Sequence, residues 1–245
     1  RRRLQENGLA PTDVAGKRTL IRRATFDLTG LPPTPAEIHT FLSDDSPTAF
    51  ETVVDRLLAS TAYGERWGRH WLDVARYADT AGDGADYPVR EAYKYRDWVI
   101  RAFNNDMPYD QFVREQIAGD ILARRDSLKN SKRFASQVTA TGFLAIGKRY
   151  GYKASPDYQY LDFADVIDSI GRSLQGLSLG CARCHDHKYD PVSAADYYAL
   201  YGILQSTKWA FPGGEEQKRP AHFPPIVPPD ELAGLEKAKA ERLAH

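Results

Sequence analysis

The sequence has few sulfur-containing residues, no excess of either charge and no long apolar run. Lys plus Arg and Asp plus Glu number 33 each, so the formal net charge is zero. A balanced surface has no field of one sign that would attract nucleic acid or an anionic membrane. No stretch reaches the roughly 18 consecutive apolar residues that a transmembrane helix needs. We therefore expect no nucleic-acid partner and no transmembrane segment in this chain.

Alternating apolar and polar residues, the pattern typical of strands, are also rare, whereas helical periods and capping signals recur. Residues 34–37 combine a capping box with proline at the first helical position. Ser193 precedes an apolar helix and has Asp196 three positions on, which is the same kind of signal. The sequence predicts a mainly α fold with few or no strands, built around the helix that carries the cysteines.

The helical patterns divide the chain into one large domain and a short remainder. The predicted domain covers residues 1–207, and residues 208–245 are predicted as a proline-rich linker followed by the start of a further charged helix. The chain opens on an arginine-rich stretch that is typical of the end of a helix already under way. We therefore expect the chain to be part of a longer polypeptide.

Cys181 and Cys184 are the only two cysteines, and His185 follows the second one directly. Cys-x-x-Cys-His is the attachment signature of c-type haem. Two thiols three residues apart lie close together on one helical turn, where each can form a thioether with one haem vinyl group. The imidazole of the next residue can then bind the iron as the proximal ligand. The motif predicts one covalently bound haem c.

Three other interpretations of the motif compete with haem. A redox pair of cysteines would be expected in a thioredoxin-like context, in which strands alternate with helices, and no such alternation is present. A structural zinc site would need Cys181, Cys184, His185 and His187, but zinc sites usually separate their ligand pairs by a dozen residues or more. A disulfide between the two cysteines is the third alternative.

Residues 63–78 form a second informative stretch. Trp67, His70, Trp71 and Val74 fall at helical spacing on one stripe, which predicts that His70 is buried between two tryptophans. One interpretation is a core histidine that is hydrogen-bonded to a neighbour. The other is an axial iron ligand opposite His185, with Trp67 and Trp71 walling the porphyrin.

Other residues are weaker candidates for the sixth iron ligand. Met107 is the only methionine, but it lies upstream of the motif beside Pro108, where packing of the loop explains it better. His187 is only two residues beyond His185 and cannot easily reach the opposite face of the haem. His70 is therefore the predicted ligand, and a five-coordinate iron with an open site is the alternative.

Four ordered blocks of the sequence resemble a known family. They are RTLIRRATFDLTGLPPTPA at 18–36, YGERWGRHWLDVARYAD at 63–79, PYDQFVREQIAGDIL at 108–122 and GCARCHDHKYDPVSAADYYALYG at 180–202. Together they resemble the planctomycete cytochrome-type domain of unknown function, over about residues 1–207. The resemblance implies a periplasmic or otherwise exported multidomain protein. It also implies partners within the same polypeptide, often a small cytochrome c module before this domain and an uncharacterised domain after it.

Two functions of different classes follow, with a third that is weaker. The leading hypothesis is a c-type cytochrome domain that carries single electrons between modules of a larger exported protein and an unknown redox partner. The rival is a catalytic haem with an open distal side, acting as a peroxidase or oxygenase. The third is a binding or scaffolding module in which a structural metal is held by His185, Asp186, His187 and Asp190.

Overall fold

A computed structural model of the chain describes residues 2–82, 86–150, 156–208, 210 and 222–243. These residues are mainly helical, which confirms the predicted fold class. The only β pairing among them is an isolated bridge between Thr80 and Pro88. The α-helices in chain order are α1 (Arg2–Glu6), α2 (Lys17–Thr29), α3 (Pro35–Ser43), α4 (Ala49–Leu58), α5 (Thr61–Val74), α6 (Ala92–Asn104), α7 (Tyr109–Asp126), α8 (Ser131–Ala140), α9 (Gly142–Ala145), α10 (Pro156–Ile170), α11 (Ala194–Gln205) and α12 (Pro229–Leu243).

The first of two compact units comprises Arg1–Trp67. Its core consists of apolar residues of α2, α3 and α4, namely Ile21, Phe41, Ala49, Val53 and Leu57. Helix α3 begins as predicted, because the Thr34 side chain accepts the backbone N–H of Glu37 while the Glu37 carboxylate accepts that of Thr34. Helix α2 ends at Gly30, whose φ of 72° is the left-handed conformation that glycine adopts readily.

The second unit comprises Gly68–His245 and contains two large apolar clusters. One surrounds Trp98, which stacks on Tyr95 and Phe112 at ring-centroid distances of 6.2 and 5.2 Å. The other joins α10 and α11 through residues that include Val166, Ile167 and Tyr197. Leu144 and Ile170 pack against both clusters, so the two clusters adjoin within one interior.

Helix α5 buries a different face from the one that the sequence predicts. His70 is exposed, and 38% of Trp67 and 51% of Val74 remain accessible. The buried residues include Gly68 and Leu72 instead. The prediction of a buried stripe through Trp67, His70 and Val74 was therefore wrong.

Close packing at a glycine explains the change of face. A Cβ atom at Gly68 would lie 3.2 Å from Cγ1 of Ile100, so α5 meets α6 where it has no side chain. Of the two tryptophans that were predicted to be buried on α5, only Trp71 packs into the interior. Its Nε1–H is 3.0 Å from both Tyr95 Oη and Gln116 Oε1, and it packs against the Trp98 cluster. An apolar pattern cannot identify a contact that a glycine makes, which is why it selected the wrong face.

A charged contact ties the end of α5 to α10. The Arg76 Nε donates to Asp165 Oδ2 at 2.5 Å, and its Nη1 lies 3.1 Å from Ser169 Oγ and 3.3 Å from the carbonyl of Phe143. Arg76 has a φ of 54°, so its backbone adopts the left-handed conformation that directs the chain out of α5. One arginine thus joins three separate segments.

The same face of α10 carries a second, more deeply buried ion pair. Arg149 Nη1 lies 3.9 Å from Asp162 Oδ1, which also accepts the N–H of Tyr150 at 3.2 Å. Burial lowers the pKa of Arg149 to about 10 and raises that of Asp162 above its ordinary value. Helix α10 has charged contacts on one face and apolar contacts on another, and these contacts fix its position. The segment that follows α10 therefore begins from a fixed place.

The structure describes the C-terminal part of the chain only in separate segments. Residues 209 and 211–221, in which most of the predicted linker falls, lie outside the described residues, and the domain boundary near 208 stays a prediction. Helix α12 occurs where a charged helix was predicted and has no buried residue. Among the described residues, no helix is both long enough and apolar enough to cross a membrane.

Candidate functional site

The cysteine motif follows a sharp reversal of the chain rather than a continuous helix. Helix α10 gives way to a π-helical segment (Gly171–Gln175), and Gly176 ends it with a φ of 68°. The N–H of Leu177 then donates back to the carbonyl of Gly171 at 3.0 Å. A Cβ atom at Gly171 would lie 2.6 Å from Leu179 Cγ, so the reversal requires a glycine there. The apolar spacing of residues 161–177 predicts a helix that leads into the motif, and helical backbone continues from α10 through Gln175, so this prediction is confirmed to within two residues.

Both cysteines lie on the solvent side of a short 3₁₀ helix (Leu179–Arg183), for which Cys184 is the C-cap residue. In a 3₁₀ helix, residues three apart lie on the same side. Leu179 and Ala182 therefore share the buried side, in the cluster of α10 and α11. Cys181 and Cys184 share the other side, where both are exposed free thiols.

His185 follows on the exposed side with one ring nitrogen already engaged. Its Nδ1 lies 2.8 Å from the backbone oxygen of Asp186. A carbonyl oxygen only accepts hydrogen bonds, so this contact requires the proton on Nδ1 and leaves Nε2 as the nitrogen with an available lone pair. Metal-binding histidines commonly show this arrangement, with one nitrogen bound to a carbonyl and the other to the metal.

His187 has a different environment from His185. The Nδ1 of His187 accepts the backbone N–H of Asp190 at 2.9 Å and that of Tyr189 at 3.2 Å. Its side chain is only 9% exposed. His187 therefore stabilises the turn that follows the motif. Among the described residues, no group of three or more His, Cys, Asp or Glu is arranged to hold a metal ion, the predicted set around His187 included.

The turn leads directly into α11, whose first residues are strongly capped. The Ser193 side chain accepts the N–H of Asp196, and Asp196 accepts the N–H and hydroxyl of Ser193. The hydrogen bonds from the Ser193 hydroxyl and N–H hold the pKa of Asp196 below its ordinary value. Tyr197 follows Asp196 on α11 and is buried in the core, and this burial raises its pKa.

A second contact joins α11 to the motif. The Tyr198 hydroxyl donates to the carbonyl of Arg183 at 3.1 Å, and the Arg183 guanidinium lies 5.7 Å from the ring centre of Tyr160 on α10. The 3₁₀ helix is thus held by both neighbouring helices. Apart from their aromatic character, nothing in the sequence indicated a role for these two tyrosines.

Comparison with known proteins identifies a family. Residues 1–209 match the family described as "PSCyt2: Protein of unknown function (DUF1549)". The chain belongs to this family. The match includes the motif, its turn and all of α11, and the family description assigns no activity or cofactor. No curated protein and no solved structure matches the chain.

The remaining predicted site residues of this family member lie in other parts of the chain. Trp71 packs edge-on against Phe112 at 4.9 Å and belongs to the Trp98 cluster, whereas the motif packs on the cluster of α10 and α11. Trp67 contacts Tyr63 at 6.2 Å within the first unit. Met107 packs against the Trp98 cluster, in agreement with its interpretation as loop packing. A role for His70, Trp67 and Trp71 around a haem stays a prediction.

Proposed function

We propose that this chain is a c-type cytochrome domain that carries one covalently bound haem. Cys181 and Cys184 would hold the haem through thioethers, and His185 would be the proximal ligand through Nε2. When bound there, the haem supplies one-electron redox chemistry. The polypeptide supplies the attachment, the orientation of the imidazole and the buried support beneath the 3₁₀ helix.

One observation carries the proposal: the residues of the motif fit the group that they would hold. Both thiols are exposed on the same side of one short helix, and the imidazole beside them keeps Nε2 available because Nδ1 faces a carbonyl. The support under the thiols is apolar and buried, through Leu179 and Ala182. Among the described residues, no group of three or more His, Cys, Asp or Glu is arranged to hold a zinc ion.

The proposal extends to the protein's setting. The resemblance to exported cytochrome-type domains supports a periplasmic or surface location and redox partners among neighbouring domains of the same polypeptide. His70 is exposed on α5, so the prediction that it is buried was wrong. It remains the predicted sixth ligand, since an exposed ring is accessible to an iron. A five-coordinate iron with an open site is the alternative, and it would favour the catalytic function.

The direct test is the state of the two cysteines after maturation. The full chain is produced in a bacterial periplasm together with the c-type haem attachment machinery, denatured in acid and analysed by mass spectrometry. We expect one haem retained per chain, and a reduced-minus-oxidised spectrum typical of a c-type cytochrome. The matched control is the variant with Cys181→Ser and Cys184→Ser, which keeps His185 and should lose all covalent haem.

The proposal is wrong if the matured wild-type chain carries only zinc, or if it contains an intact disulfide between the two cysteines. If haem is attached, the binding of carbon monoxide or cyanide to the wild-type protein separates the two haem functions. A six-coordinate iron that resists these ligands supports electron transfer. An iron that binds them readily supports a catalytic haem.

A further inference from the structure

Asp186 makes hydrogen bonds in two directions from the position directly after His185. Its backbone oxygen faces Nδ1 of His185 at 2.8 Å. Its carboxylate Oδ1 accepts the backbone N–H of Ala194, also at 2.8 Å. The residue therefore connects the imidazole to the beginning of α11, eight positions further along the chain.

The Ala194 end of this connection is firmly placed. Ala194 is the first residue of α11, and its N–H is one of the amides that a helix cannot satisfy internally. A carboxylate is favoured there because the helix N-terminus carries partial positive charge. Helix α11 is in turn held by Tyr197 and Leu204, which are buried in the same apolar cluster as Leu179 and Ala182 of the motif.

The residues between the two ends have little freedom. The N–H of His187 donates to the carbonyl of Val192 at 2.8 Å. The His187 ring accepts the N–H of Asp190 at 2.9 Å, which closes the inner part of the same turn. The loop is therefore fixed at its two ends and across its middle, and the carbonyl of Asp186 is held in place relative to His185.

We propose that Asp186 is a positioning residue for His185: its carboxylate anchors to Ala194, and this holds its own carbonyl against His185 Nδ1. The inference rests on the proposed function, because the imidazole so held would be the proximal iron ligand. A hydrogen bond from Nδ1–H to a carbonyl makes the imidazole a more basic ligand, which favours ferric over ferrous iron. Loss of the anchor should therefore raise the reduction potential.

Three variants of the full chain separate this role from general stability. Asp186→Ala removes the anchor, and Asp186→Asn retains an oxygen that can accept the Ala194 N–H. Ala194→Pro removes the donor without changing Asp186. Proline is well tolerated at the first position of a helix, and Ser193 before it already has the extended conformation that proline favours, with φ −85° and ψ 162°.

Asp196→Ala is the matched control. It removes a carboxylate from the same helix terminus and weakens the same cap, but Asp196 has no hydrogen bond to Asp186 or His185 among those described. A purely structural role for Asp186 predicts that Asp186→Ala and Asp196→Ala behave alike. A positioning role predicts that only Asp186→Ala and Ala194→Pro affect His185.

The first measurement uses the protein without haem. Nitrogen-15 NMR of the imidazoles reports which ring nitrogen carries the proton. We expect the Nδ1–H form of His185 in the wild type, in Asp186→Asn and in Asp196→Ala. Asp186→Ala and Ala194→Pro should shift His185 toward the Nε2–H form. An unchanged His185 signal in both of these variants would overturn the proposal.

The second measurement is the reduction potential of the haem-loaded proteins. Asp186→Ala and Ala194→Pro should lower the preference for ferric over ferrous iron by up to about tenfold, which raises the reduction potential by up to about 59 mV for one electron. Asp186→Asn should keep the reduction potential of the wild type. Equal potentials in all variants would also overturn the proposal, while the proposed haem function would stand. A wild-type chain that attaches no haem would refute the proposed function, and the NMR result would still decide whether Asp186 positions His185.

Discussion

The segment 179–193 and helix α5 both carry a predicted iron ligand, and they obtain their structure in different ways. In the first, the hydrogen bonds around His185 and His187 join residues at most eight positions apart. In the second, Trp71 contacts residues 24 and 45 positions away, and Arg76, two residues beyond the end of α5, contacts Asp165, 89 positions away. Short-range hydrogen bonds therefore position the two histidines of the motif, whereas the orientation of α5 depends on distant parts of the fold.

This difference explains which sequence-based predictions were correct. Spacing and capping are local properties, so the helix that leads into the motif and the start of α11 at Ser193 could be predicted from the sequence. Which face of a helix is buried depends on what packs against it. Gly68 is small enough to admit Ile100, so the buried face of α5 contains a residue that an apolar pattern ignores.

The largest expected effect comes from breaking the long-range contact that joins α5 to α10. Asp165→Ala leaves the partly buried Arg76 without its ionic partner, and we expect a loss of about 3 kcal/mol in the free energy of unfolding. Chemical denaturation monitored by circular dichroism measures it. The control is Asp73→Ala on α5, which breaks an exposed pair with Arg69 and should cost less than about 1 kcal/mol. Equal losses of unfolding free energy in the two variants would show that the contact between Arg76 and Asp165 contributes no more than an exposed ion pair.

The next effect tests the buried face of α5 directly. Gly68→Leu places a side chain where a Cβ atom alone already approaches Ile100 to 3.2 Å, and overpacking of this kind should cost about 2 kcal/mol. Gly202→Leu on α11 is the matched control, because no atom lies within 4 Å of its Cβ position. That substitution should instead stabilise the protein by about 0.5 to 1 kcal/mol through helix propensity. A tolerated leucine at position 68 would show that this face of α5 is not packed.

A smaller effect concerns the local structure of the motif. Ser193→Ala removes the N-cap of α11 and should cost about 1 kcal/mol in the free energy of unfolding. Acid should weaken the same cap. The pKa of Asp196 is lowered in the folded protein, so its contribution is present above the ordinary aspartate pKa and is lost as the pH falls through the lowered value. The stability difference between wild type and Ser193→Ala should therefore narrow in acid, and a difference that is independent of pH would argue against the capping box.

Even in the motif region, the sequence did not reveal every feature. The helix that leads into the motif ends within two residues of its predicted end, but the chain then reverses at Gly176 and packs back on Gly171. No local pattern indicated this reversal, because the contact between Gly171 and Leu179 exists only when the core has formed. The same applies to Asp186, whose anchor on Ala194 depends on where α11 lies.

The smallest effect on stability is expected at His70, and it decides the remaining ligand prediction. Because His70 is exposed, His70→Ala should change the free energy of unfolding by no more than about 0.5 kcal/mol. Leu72→Ala, two residues further on the buried face, should cost about 2 to 5 kcal/mol. If His70 is the sixth ligand, His70→Ala in the haem-loaded protein should convert a low-spin spectrum to a high-spin one and admit carbon monoxide. A low-spin spectrum that survives the substitution would assign the ligand to another residue, and His70 would then be an ordinary surface histidine of α5.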